Sequence, residues 1–146
     1  MQQAYKLSIL YFLIFSLLLI ISAVMLFWHK IGFNYLSVLE YYIGNEEKFI
    51  PAQSAAGILK MVLPHIFVFG LFTMVLLHFL VFTDIKVKKA FLILIYITFI
   101  TALLEIFAPF MIINGFEFFA YIKLFSFFSF LALILFILWL LFRKIR

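Results

Sequence analysis

Four side chains in this sequence sit where ionisable groups are costly. His65 and His78 lie within one long apolar run, Glu105 lies within another, and His29 closes a third. Such groups inside a membrane mark a site unless packing explains them. Imidazole holds haem iron in membrane b-type cytochromes, where histidines on neighbouring helices serve as axial ligands. His29, His65 and His78 are therefore candidate cofactor ligands, with haem b as the cofactor. Glu105 must be protonated or paired if it faces a helix interior. That makes it a candidate for proton transfer or for contact with a quinone head group.

Spacing sorts these candidates. His65 and His78 are thirteen positions apart, about 20 Å along a helix axis but roughly 140° apart around it. Two haems stacked on one helix face are disfavoured by that angle. A single haem is easier to build, with His29 at the end of the first apolar run and His65 near the start of the second as its iron ligands. Pro64 frees the carbonyl of Lys60 and bends the helix beside His65. Gly57 and Gly70 would let a macrocycle or a helix approach closely. His78 is left as an interfacial residue or the sole protein ligand of a second site.

The elements that must position these groups are membrane helices. Of the 146 residues 69% are hydrophobic and only 12% charged, and mean hydropathy is +1.32. A soluble domain carries about 25% charged residues, and a short chain cannot hide so much apolar surface from water. Four runs, residues 7–28, 59–82, 90–113 and 118–142, reach the roughly 20 residues that cross a bilayer core. In lipid the backbone must satisfy itself, which makes these runs helices. The expected architecture is an all-α integral membrane protein: one membrane domain, residues 1–146, built as a four-helix transmembrane bundle. The first run lacks a small-residue cleavage site and reads as a retained span rather than a signal peptide.

Charge orients the bundle. Lys6, Lys86, Lys88, Lys89, Arg143, Lys144 and Arg146 fall at one end, and Lys30, Lys48, Lys60 and Lys123 at the other. The richer end is expected to be cytoplasmic, with both termini there, in a bacterial inner membrane. The net charge of +5 is thereby assigned to topology and not to nucleic acid. The connection 29–58 faces outward and predicts a short interfacial helix. Leu36, Leu39 and Ile43 fall at helical spacing, Asn34 and Gly44 are its caps, and its tyrosines lie in the interfacial belt. Pro51 suits the first turn of the second span.

A stripe of small and polar residues runs along the third span through Thr98, Thr101, Ala102, Glu105, Ala108 and Pro109. It predicts a face turned to the bundle interior, opposite Ser126, Ser129 and Ala132 of the fourth span and Ser8, Ser16, Ser22 and Ala23 of the first. Other chemistries lack their residues. There is no cysteine, hence no thiolate metal site and no c-type haem attachment. Glycine-rich phosphate loops, hydrolase triads and His-Glu-x-x-His are also missing.

The stretch containing His29-Lys30-Ile31-Gly32, Tyr41-Tyr42-Ile43-Gly44-Asn45-Glu46, Pro64-His65 and His78-Phe79 resembles small bacterial four-span membrane proteins of unassigned function. The resemblance implies a multi-pass membrane fold and no particular activity. From the residues themselves, the expectation is a b-type-cytochrome-like electron-transfer protein, probed by haem absorbance, in a larger respiratory complex. The alternatives are a cofactor-free accessory subunit of such a complex, and a metal or proton pathway through His65, His78 and Glu105 without haem.

Overall fold

The computed structural model describes residues 3–81 and 89–145. Lys86, Lys88 and Arg146 of the charge pattern, and the end of the second predicted span at 82, lie outside them. Five helices follow in order: α1 (Gln3–Lys30), α2 (Tyr35–Ile43), α3 (Ala55–Val81), α4 (Lys89–Ile113) and α5 (Phe119–Ile145). All but α2 are long and apolar enough to cross a membrane, and no strand occurs among the described residues. The chain is a multi-pass, all-α membrane bundle.

The serine hydroxyls of α1 are satisfied locally. Ser8, Ser16 and Ser22 donate to the carbonyls of Ala4, Phe12 and Leu18 at 3.0, 2.7 and 2.9 Å. These back-bonds keep polar atoms tolerable in a lipid-facing helix.

The helix α2 forms between the predicted caps. The Asn34 side chain accepts from Leu36 N at 3.2 Å, Ser37 Oγ accepts from Asn34 N at 3.2 Å, and Gly44 N donates to Glu40 O at 3.0 Å. Its inward face differs from the expectation. Val38 and Tyr42 are fully buried, whereas Leu36 and Ile43 are exposed. The helix docks on the ends of α4 and α5, among Ile112 and Ala120, and there Tyr42 has more apolar area to bury than either aliphatic residue. Beyond Gly44, Asn45 and Ile50 exchange backbone hydrogen bonds of 2.9 Å in a tight loop. The helix α3 then begins at Ala55, with Ser54 Oγ accepting from Gly57 N at 3.1 Å. Pro51 therefore precedes the helix instead of occupying its first turn.

Two apolar clusters hold the bundle at opposite ends. The first, at the end bearing the chain termini, joins Ile9 and Leu13 of α1, Leu76 and Leu80 of α3, Phe91 of α4 and Ile137 and Leu141 of α5. The second, at the α2 end, joins Val38 and Tyr42 to Ile58 and Val62 of α3, Ile106 and Ile112 of α4 and Ala120 of α5. Residues of α1 belong to the first cluster only. Near the termini α1 meets α3 through rings, Phe12 lying 5.9 Å from Phe72 and 5.0 Å from Phe79. Towards α2 the two helices part, and the gap becomes a cavity.

Candidate functional site

The cavity has a volume of about 670 Å³ and lies between α1 and α3, with α4 and α5 behind it. This is within the 300–1,000 Å³ range of small-molecule sites. Its walls are largely apolar and aromatic. Phe27 of α1 stacks on Phe127 of α5 at 4.0 Å, and Phe69 of α3 lies 5.0 Å from Phe130 of α5. Leu19, Leu26 and Val68 line it and are also exposed on the surface of the bundle. The cavity thus opens sideways, into the lipid that surrounds the spans.

Polar groups gather on its back wall. Glu105 and Lys123 are both about nine-tenths buried and form an ion pair between α4 and α5. Ser126 Oγ donates to the second carboxylate oxygen at 2.9 Å. Lys123 Nζ also donates to the backbone carbonyl of Glu105 at 2.9 Å. Pro109 explains that bond. Proline has no N–H, so in α4 the carbonyl four residues earlier, that of Glu105, loses its helical partner. The lysine ammonium fills the gap, holding side chain and backbone of one residue together.

This lysine escapes a reading that counts charges by end, because position 123 falls close to the end of its span and is counted there with Lys30, Lys48 and Lys60. The available signal was its place inside the fourth apolar run, together with Pro109 four residues after Glu105. The rest of the stripe is as expected. Thr98, Thr101, Ala102, Glu105, Ala108 and Pro109 are all buried, and so are Ser16 and Ser126. Ser8, Ser22 and Ala132, by contrast, are exposed, because they lie on the outward faces of α1 and α5.

The three histidines are not brought to one place. His65 lines the cavity, and its Nδ1 lies 2.6 Å from Met61 O. A carbonyl only accepts, so Nδ1 carries the proton, and in the neutral ring Nε2 presents a lone pair. His29 is not among the lining residues; its ring stacks on Trp28 at 6.3 Å. His78 belongs to the last turn of α3 at the termini end. Among the described residues no group of three or more His, Cys, Asp or Glu side chains is placed to hold a metal ion. Gly57 lines the cavity, whereas Gly70 faces open space and brings no helix close.

Tyr42 closes the cavity at the α2 end. Its hydroxyl is buried and makes no hydrogen bond to any described residue. Desolvation, reinforced by the negative charge of Glu105, pushes its phenol well above the usual value. It remains a neutral O–H donor next to the cavity.

Residues 32–146 match the model of a family described as a transmembrane helical domain. The chain belongs to that family. In this transmembrane helical domain the matched residues include α2 to α5, and so hold His65, Glu105, Lys123 and Tyr42; the α1 wall of the cavity precedes them. Comparison with curated proteins gave no match, and comparison with solved structures gave none.

Proposed function

We propose that this protein binds a lipid-soluble amphiphile in the cavity between α1 and α3. The observation that carries the reading is the cavity itself: apolar walls open to the bilayer, with the Glu105–Lys123–Ser126 cluster and His65 as its polar part. A few convergent polar groups in an apolar pocket are what orient a small molecule. Quinone contact at Glu105 would be one form of such binding.

The test is to purify the full chain in a mild detergent and identify by mass spectrometry the small molecules it retains. Replacing Ala23, on the α1 wall, or Val68, on the α3 wall, by Trp fills the cavity. A molecule retained by the wild type and lost from both variants supports the reading. Equal retention by all three sinks it.

Haem b is a second reading of the same cavity, favoured by the orientation of His65. With Nδ1 tied to Met61 O, Nε2 is the nitrogen left to ligate iron. The second axial position would fall to a group other than His29, given where that ring lies. Electron transfer within a larger complex then depends on a visible spectrum. A reduced b-type α-band that disappears in His65→Ala supports it, and a featureless spectrum from haem-supplied cells refutes it. The cofactor-free accessory role is what survives if neither a small molecule nor haem is found.

A further inference from the structure

The charge at the mouth of the cavity narrows the ligand class. Lys30, the last residue of α1, and Lys60, in the second turn of α3, both line the cavity at its α2 end. Neither is paired with a carboxylate among the described residues, where the ion pairs are Lys48–Glu40 and Lys123–Glu105. Glu105 is the one acidic residue in the lining and is already committed to Lys123. Two exposed cations therefore stand at the rim of an apolar cavity, with no protein anion paired to either among the described residues. Tyr42 adds, at the same end, a buried hydroxyl whose hydrogen bond no described residue takes.

Dimensions point the same way. The α1 wall runs from Leu19 to Lys30, which is about 16 Å of helix. The α3 wall from Gly57 to Phe72 is about 22 Å. One leaflet, half of a bilayer about 40–45 Å thick with its headgroups, has that depth. A molecule with its head between the lysines would have its chain among Ala23, Phe72 and Ile134, ending near the bilayer midplane.

Resting on the binding reading above, we infer that the occupant is an anionic lipid, its phosphate head held by Lys30 and Lys60 and its chain lying between α1 and α3. Quinone and diacylglycerol lack the charge, and inorganic phosphate lacks the chain. Lysines at helix ends also attract bulk lipid head groups, so the test must separate a saturable site from the annulus.

The experiment is native mass spectrometry of the full chain in a neutral detergent, titrated separately with dioleoyl phosphatidic acid and dioleoylglycerol, which share tails and differ in the phosphate. The wild type should take one phosphatidic acid roughly thirtyfold more tightly than diacylglycerol, as expected for two lysines near the surface. The double variant Lys30→Gln/Lys60→Gln should lose that preference while still binding diacylglycerol, which also shows that it is folded. Ala23→Trp and Val68→Trp should lose both lipids. Equal wild-type affinity for the two lipids, or a preference that survives in the lysine variant, overturns the anionic assignment and leaves the cavity reading standing. Phosphatidic acid binding that survives in both tryptophan variants overturns the site and the cavity reading together, and absence of binding by either lipid overturns the anionic-lipid assignment.

Discussion

Replacing Lys123 by Met should destabilise the bundle more than any surface change, and the structure separates the cost into two parts. Met keeps the length and apolar stem but removes every donor. Glu105 would then retain Ser126 as its side-chain partner in a buried setting. Stripping one partner from a buried ion pair costs about 3–5 kcal/mol. Part of that loss belongs to the backbone carbonyl of Glu105, which the ammonium serves because Pro109 cannot. Its share is the net value of one hydrogen bond, about 0.5–1.5 kcal/mol.

The second part can be isolated by a double-mutant cycle. Pro109→Ala restores an N–H to α4, which can donate to the Glu105 carbonyl in the ordinary helical way. In that background Lys123→Met should cost about 1 kcal/mol less than in the wild type. The assay is reversible unfolding in mixed micelles, followed by helical circular dichroism for wild type, both single variants and the double variant. An identical cost for Lys123→Met in the two backgrounds would refute the claim that the lysine replaces the bond removed by proline. A Lys123→Met loss below about 1 kcal/mol would refute the buried pair as a structural element altogether.

Two further outcomes follow from the connection between α1 and α3. Gly44 sits at φ 87° and ψ 174°, and a Cβ there would lie 2.7 Å from both Ala52 N and Ile50 O; Gly44→Ala should cost at least about 1–3 kcal/mol, whereas Gly70→Ala, with nothing within 4 Å, should be neutral or mildly stabilising, and equal thermal shifts for the two would contradict this. Hydrogen bonds from Lys48 and then Asn45 hold the Glu40 carboxyl below its usual value, so its contribution is present above the unfolded carboxylate pKa, about 4.3, and fades as pH falls through the lowered folded value. Glu40→Gln should therefore flatten the acid side of the stability–pH curve, and an unchanged curve would show that the pair contributes nothing measurable.

The spans were legible because lipid imposes one solution on an apolar run of some twenty residues, whatever its details. The caps of α2 were legible for a similar reason, since Asn34 and Gly44 perform local tasks that no distant contact alters. Its buried face was not. Of Leu36, Leu39 and Ile43 only Leu39 packs inward, half-buried beside Val38 and Tyr42, which take the seat that the ends of α4 and α5 offer. Only tertiary packing decides between two faces of a short helix with apolar residues on both. Likewise the stripe on α4 was readable from its small residues, while its counterpart on α5 was readable at Ser126 but not at Ala132.

Histidine drew attention because it is the familiar ligand, and the sequence placed three of them in or beside apolar runs. The fold keeps one, His65, at the cavity and sends the other two to opposite ends of the bundle. Glu105 is costly where it lies, and that cost requires a partner. A carboxylate in a span is more cheaply answered by an ammonium than by a neutral imidazole, since full charge meets full charge with a short hydrogen bond. Lys123 lies inside an apolar run, one helix away from Glu105, and the proline after Glu105 leaves a second acceptor waiting beside the carboxylate. Taken together, Lys123 and Ser126 make three hydrogen bonds to Glu105, one of them to the carbonyl that Pro109 leaves free, and so tie α4 to α5. The polar core of this bundle is therefore a clamp between α4 and α5, and the cavity lies in front of it where α1 leaves α3. The Glu105–Lys123 pair thus serves stability: a ligand head that competed for Lys123 would loosen the clamp, whereas one held by Lys30 and Lys60 would leave it closed.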